Sequence, residues 1–332
     1  MRPRDLMTIL ISRIKKRKNT LIVGRPGIGK SEIVEEACKC AGVKLLISHP
    51  VTSDPTDYKG LGFAIDNTKA DFLPYGDLYE MIHTEVPLCV FFDDIGQAPP
   101  SVQAALMQLQ QARRVNGHKI SDLVSFVSAT NRREDKADVR GFIEPLKSRN
   151  DILKLDVNPQ DWEQWALAKP DFPLELIAAT RMCPEWLTQW EPSKDIENSP
   201  NPRNMAEVAD MVHDPEIPKH CRLEMFASRM GMAEATKLEG FLRMYHELPK
   251  LEEVVLNPDT APVSDNPSCK WLIMTSLAKK AKPENFAPIV KYAERFEKDY
   301  QVLFMKNIND SNKELMETRT FIQWSSENEG IF

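Results

Sequence analysis

No stretch of the chain runs to 18 consecutive apolar residues, so no segment predicts a membrane span. An excess of positive charge is also missing. Lys and Arg number 43 against 49 Asp and Glu, a formal net charge of −6. That balance excludes a general electrostatic grip on nucleic acid and leaves only local basic patches open. Cysteine is sparse and unpatterned: the six thiols sit at 38, 40, 89, 183, 221 and 269, and none forms a C-x-x-C pair. Neither a disulfide framework nor a zinc site is predicted, and reduced thiols in a cytoplasmic protein are expected. A cleavage site of small residues is absent too. The opening Met1-Arg-Pro-Arg-Asp5 is charged like the start of a signal peptide, but the apolar run Leu6–Ile14 is short and is closed by Lys15–Lys18. It reads as an amphipathic helix leading into a first strand, with Lys15–Lys18 as a solvated helix end. No internal repeat or low-complexity segment occurs.

What is present begins at Thr20-Leu-Ile-Val-Gly-Arg-Pro-Gly-Ile-Gly-Lys-Ser31. Leu21–Val23 is an uninterrupted apolar run, as in a strand buried on both faces. Gly24, Arg25, Pro26, Gly27, Ile28, Gly29, Lys30 and Ser31 then complete G-x-x-x-x-G-K-[ST], followed by a helical stretch to about Ala41. Glycines let the backbone curl with its N–H groups facing phosphate oxygens, and the helix start adds unsatisfied donors. Lys30 is placed to reach the β- and γ-phosphates, and Ser31 to hold Mg²⁺ through its hydroxyl. The spacing predicts nucleoside triphosphate binding.

The 332 residues, 42% hydrophobic, suffice for one large or two smaller cores. Four further strands are predicted at 43–48, 88–92, 123–129 and 151–155. The alternation with helices predicts a parallel α/β sheet. Residues 49–87 carry Gly60, Gly62, Asn67, Pro74 and Gly76 and read as a long functional insertion, with Phe63 the candidate contact residue. Asn116-Gly117 centres a hairpin over 113–120. A helix opens at Pro99-Pro100, and a short one is expected over 141–147. From Asn158 the chain reads as helical: 161–168, 174–181, 204–211, 222–230 and 234–246, then a proline-rich connector over 249–268, then 270–281, 284–298 and 312–324.

Two acids, Asp93 and Asp94, end the strand 88–92, which places them at the carboxyl edge of the sheet. Asp93 suits Mg²⁺ and Asp94 the attacking water. Asn131 also follows a strand and could hold that water or the γ-phosphate; a turn-forming Asn is the plainer alternative. Arg149, in Pro145-Leu-Lys-Ser-Arg-Asn150, follows a helix end far in sequence from the glycine loop, and Arg203, after Pro200-Asn-Pro202, begins a helix in the all-helical part; each reads by itself as a surface Arg.

The chain resembles the AAA+ ATPases, and within them the MoxR-like group. Gly24–Ser31 looks like the Walker A loop. Val90-Phe-Phe-Asp-Asp-Ile-Gly-Gln-Ala-Pro-Pro100 looks like Walker B with that group's proline-started helix. Ser128-Ala-Thr-Asn131 resembles sensor 1, Leu146-Lys-Ser-Arg149 an arginine-finger segment, and Pro202-Arg203 sensor 2. The match covers about residues 5–235. It implies an AAA+ nucleotide-binding core (1–156), a helical lid (157–232) and an added all-helical C-terminal domain (233–332). By the same resemblance, Mg²⁺ and ATP are the cofactors. Lys30, Ser31, Asp93, Asp94, Asn131 and Arg203 would come from one subunit and Arg149 from its neighbour in a homo-oligomeric ring, expected to be a hexamer. Hydrolysis would drive chaperone-type remodelling of a protein partner, for which a separate von Willebrand factor A domain protein is the candidate. Two departures stand out. The acid pair is Asp-Asp where Asp-Glu is usual, and Gly96-Gln97 replaces Asn-Arg. The other expectations are a clamp-loader-like ATPase acting on DNA, which Ser148-Arg149-Asn150 resembles, and a nucleotide-gated scaffold that scarcely hydrolyses ATP.

Overall fold

The computed structural model describes residues 1–135, 144–190, 196–246 and 248–328. The chain divides into two compact units. One is built mainly from Met1–Trp162 with Asn201–Arg203. The other is built from Glu163–Gln189, Ile196–Pro200 and Asn204–Phe332.

In the first unit the strands are β1 (Thr20–Val23), β2 (Lys44–Ser48), β3 (Leu61–Ala64), β4 (Ala70–Leu73), β5 (Leu88–Phe92), β6 (Arg114–Val115), β7 (His118–Lys119), β8 (Val124–Thr130) and β9 (Asp151–Lys154). The helices are α1 (Pro3–Lys15), α2 (Lys30–Ala41), α3 (Pro55–Lys59), α4 (Gly76–His83), α5 (Pro100–Ala112) and α6 (Glu144–Lys147), and α7 (Pro159–Leu167) begins in this unit and ends in the second. Five strands form one parallel sheet in the order β2-β5-β8-β1-β9. Alternation along each strand decides which face a residue joins. Ile22, Cys89, Phe91, Val127 and Ala129 pack with Leu6, Leu10 and Ile14 of α1 and Val34, Ala37 and Cys38 of α2. Leu21, Val90, Phe92, Val124 and Phe126 pack on the other side with Val102, Leu106 and Leu109 of α5. Both faces of the central strands β1, β5 and β8 are covered, which is why they read as largely apolar runs. This is the fold class that the AAA+ resemblance implies: a phosphate-loop α/β core with a five-stranded parallel sheet, followed by all-helical chain.

The insertion 49–87 is not an irregular loop. It contains α3, the antiparallel pair β3–β4 and α4. Asp54 caps α3 in a reciprocal capping box with Asp57. Every residue of β3 and β4 is exposed, with Phe63 at 63%. The pair β6–β7 turns through Asn116 and Gly117, both at positive φ, as a two-residue hairpin requires. Of the short helix expected over 141–147, Glu144–Lys147 is helical; 141–143 lie outside the described residues.

In the second unit the helices expected at 174–181, 222–230 and 270–281 are present at Leu174–Met182, Arg222–Met230 and Pro267–Lys280. The expected helix 284–298 is shorter, ending as Phe286–Ala293, and a new helix runs over Lys298–Ser311. The buried Gln301 side chain donates to the carbonyls of Glu294 and Phe296 at 3.1 and 2.8 Å, so the break is satisfied by a side chain of the following helix. The connector 249–268 also holds a short helix, Leu251–Leu256, whose Val254 is buried with Met274, Ile289, Phe304 and Ile308. No described helix is long and apolar enough to cross a membrane.

Candidate functional site

Register aligns the carboxyl ends of the central strands. Phe92 pairs with Ser48 of β2 and with Ser128 of β8, and Val23 of β1 pairs with Thr130 of β8. The segments leaving these strands therefore emerge on one edge. They are the glycine loop after β1, Asp93-Asp94 after β5 and Asn131 after β8. Because β8 lies between β1 and β5, Asn131 stands between the loop and the acid pair.

The loop is tied down at both ends. Gly24 N–H donates to the Thr130 carbonyl at 3.1 Å, and Ile33 N–H donates to the Gly29 carbonyl at 3.0 Å. Gly27 and Gly29 sit at φ 72° and 83°, in the left-handed region that glycine enters without steric cost. A Cβ on Gly24 would come within 2.7 Å of Ile28 Cδ1, so Ile28, itself buried, closes the loop from inside. Arg25 and Pro26 are half-buried. Burial lowers the Arg25 pKa, with the Arg132 charge adding to it.

Lys30 opens α2 and is 7% exposed. Its ammonium donates to the Gly24 carbonyl at 3.0 Å, the Arg25 carbonyl at 2.9 Å and Asn131 Oδ1 at 2.7 Å. Burial pulls its pKa down to about 8, against the raising effect of Asp94 and Asp93. Ser31 Oγ donates to Asp93 Oδ2 at 2.8 Å. Asp93 Oδ1 accepts from the Asp94 N–H at 3.0 Å, and its own N–H donates to the Ser48 carbonyl. Asp94 adopts φ 53°, ψ 33°, and its Oδ1 accepts from Asn131 Nδ2 at 3.1 Å. Burial, then Asp93, raises the Asp94 pKa above the usual carboxylate value. Asn131 thus uses one amide to link Lys30 with Asp94.

Arg203 reaches the same site by another route. Its N–H donates to the Gly27 carbonyl at 3.0 Å, and its exposed guanidinium is close enough to act electrostatically on both Lys30 and Asp94. Arg149 is not brought there. It precedes β9, whose Asp151 pairs with Thr20, so it lies at the amino edge of the sheet, a strand length of about 13 Å from the glycine loop. Its guanidinium donates to the Pro145 carbonyl of its own turn and to Ser148 Oγ. Arg132 is held by Asp135 and Glu134. Arg140 lies outside the described residues.

The hard oxygen donors Ser31 Oγ and Asp93 Oδ2, already within 2.8 Å of each other, suit Mg²⁺, a cation that takes one or two protein ligands and completes its shell with water and phosphate oxygens. The left-handed glycines, the α2 N-terminus and Lys30 suit a polyphosphate. Sequence reasoning missed three neighbours. Asp135, buried, acts on the Lys30 charge, and His49, after β2, acts on Asp94. Asn201 lies against Gly27. Only Asn201 carried a local signal, its place in Pro200-Asn-Pro-Arg203.

No family model and no curated protein matches the chain. Solved structures do. The RuvB Holliday junction branch migration motor of Thermotoga maritima is 16% identical, with 83% of this chain and 74% of that chain covered and a TM-score of 0.40. A putative ATPase from Cytophaga hutchinsonii is 14% identical, with 72% and 88% covered and a TM-score of 0.38. NtrX from Brucella abortus is 15% identical, with 96% and 64% covered and a TM-score of 0.42.

Proposed function

We propose that the protein is a Mg²⁺-dependent ATPase of the AAA+ type, MoxR-like, that works as a ring and remodels a protein partner. The observation that carries the ATPase reading is one connected set of contacts: Ser31 with Asp93, Lys30 with Asn131, and Asn131 with Asp94, all at the mouth of a left-handed glycine loop. In this reading the loop N–H groups and Lys30 bind the β- and γ-phosphates. Ser31 and Asp93 would hold Mg²⁺, which would supply charge neutralisation when bound. Asp94 orients the attacking water and accepts its proton. Asn131 fixes the Asp94 carboxylate. Arg203 adds positive charge over the γ-phosphate. Residues 157–232 act as the lid that carries it, and 233–332 as the added domain. Arg149 serves the neighbouring subunit, since it is far from the glycine loop of its own chain. The partner is a protein, a von Willebrand factor A domain protein being the candidate, and the protein works in the cytoplasm.

Phosphate release from Mg·ATP tests the reading. Lys30→Ala should abolish turnover while the melting temperature shows a folded protein; parental turnover in that variant overturns the assignment.

One observation favours a second reading, the nucleotide-gated scaffold. Asp94 is a non-glycine residue in the left-handed region, and its inner oxygen is already taken by Asn131. Aspartate tolerates that backbone better than longer side chains do. Its carboxylate stops one methylene short of a glutamate's. A parent that binds Mg·ATP but releases no phosphate above the uncatalysed rate would select the scaffold.

A further inference from the structure

We propose that Asn201 is a positioning residue of the phosphate site, holding Gly27 in the conformation that aims the loop at its ligand. The inference rests on the nucleotide-binding reading of the glycine loop. Gly27 is the central glycine of that loop, and its peptide sets where the following N–H groups point. Two contacts reach it from one tripeptide. A Cβ on Gly27 would fall 2.5 Å from Asn201 Oδ1 and 2.9 Å from Asn201 Cγ, so the Asn201 carboxamide occupies the space beside the bare Cα. Two residues on, the Arg203 N–H donates to the Gly27 carbonyl at 3.0 Å. The tripeptide is itself anchored. The Pro202 carbonyl accepts from Trp162 Nε1 at 3.4 Å, and both Trp162 and Asn201 are 8% exposed. The grip therefore works only on a glycine at 27, for two independent reasons: the positive φ and the occupied space.

Charge explains why an amide is suited to this place. A buried neutral carboxamide beside the loop leaves the field of the α2 N-terminus and Lys30 intact, whereas a carboxylate would set a negative charge against the bound phosphates. That separates the positioning role from a purely local one. Asn201 immediately precedes the helix Pro202–Val212, a place where Asn and Asp serve about equally as caps. A capping role alone predicts that Asp is tolerated.

The experiment measures the Kd for Mg·ATP by calorimetry, and the melting temperature without nucleotide, for the parent, Asn201→Asp, Asn201→Ala and Lys30→Ala. Asn201→Asp should remain folded by its melting transition and bind Mg·ATP roughly tenfold or more weakly. Asn201→Ala should also bind roughly tenfold more weakly, through loss of positioning. Parental affinity in Asn201→Asp overturns the proposal. So does an Asn201→Ala variant whose lost affinity and lost stability are both restored by Asp, because that pattern is helix capping. Lys30→Ala separates the two levels of inference. If it loses Mg·ATP while both Asn201 variants keep it, the Asn201 assignment alone is wrong. If it binds like the parent, the nucleotide site itself is wrong.

Discussion

In the proposed site, Lys30 is a single buried cation that would couple ligand and proton. Its pKa of about 8, below the ordinary 10.5, follows from burial that the charges of Asp94 and Asp93 only partly offset. Above pH 8 the nucleotide-free amine is neutral. Bound phosphates favour the ammonium, so binding there takes up a proton. Affinity for Mg·ATP should be level on Lys30's account below pH 8 and fall toward tenfold per pH unit above it. Calorimetric Kd values between pH 7 and 9.5 check this, and a flat profile would mean that Lys30 does not meet the phosphates. Folding carries the opposite sign. The unfolded chain keeps that proton up to about 10.5, so Lys30's burial penalty fades as pH rises from 8, and the nucleotide-free protein gains stability over that window. Asp94 is the second residue-scale test. Asp94→Asn preserves size and the contact with Asn131, so Mg·ATP binding should stay within about threefold, while turnover drops roughly 10²–10⁴-fold with loss of the base. Single-turnover phosphate release reads this, and parental turnover would remove Asp94 from the mechanism.

The paired strands β3 and β4 form an arm whose apolar residues face outward: Leu61, Phe63 and Leu73 are each more than half exposed. Its base is fastened to the other hairpin. Asn116 Nδ2 donates to the Lys59 carbonyl at 2.7 Å, and His118 Nε2 is 2.8 Å from the Phe72 carbonyl. Phe63, 63% exposed, does not pack on the core. Phe63→Ala should therefore shift the melting temperature by no more than about 1 °C, because little buried area is lost. A fall of several degrees by calorimetry would show that the side chain is covered. Asn116→Ala should instead increase amide exchange in residues 61–73 without slowing ATP turnover, since the arm loses a fastening and the phosphate site loses nothing.

At the scale of the whole molecule the parallel sheet separates two edges. The glycine loop, Asp93, Asp94 and Asn131 are on the carboxyl edge, and Arg149 is on the amino edge. An arginine finger at that distance acts only in trans. Arg149→Ala should bind Mg·ATP nearly as the parent does and hydrolyse it roughly 10³-fold more slowly. On the proposed reading Lys30→Ala would keep the finger and lose the phosphate site. Mixed, the two inactive variants should recover part of the turnover through composite sites, and dilution below the assembly concentration should remove it. A mixture that stays inactive while mixed assemblies form by native mass measurement would take the finger role from Arg149.

Local chemistry by itself determined the glycine loop, the central apolar strands β1, β5 and β8 and the acids that end β5. Each rests on a short-range requirement: left-handed backbone at Gly27 and Gly29, apolar continuity in strands covered on both faces, a carboxylate where a strand stops. The hairpin at Asn116-Gly117 was legible for the same reason. What only the tertiary structure decided involves partners distant in sequence. Strand order put Asn131 between Lys30 and Asp94, and no spacing along the chain encodes that β8 lies between β1 and β5. The insertion 49–87 looked irregular because its strands are exposed on both sides and carry no burial pattern. The helix expected over 284–298 ended early because Gln301, from the next helix, satisfies the carbonyls of Glu294 and Phe296 and lets Phe296 turn into the core. Asn201 escaped notice for the same physical reason: its partner is the missing side chain of Gly27, a space that exists only once the chain has folded back on its phosphate loop.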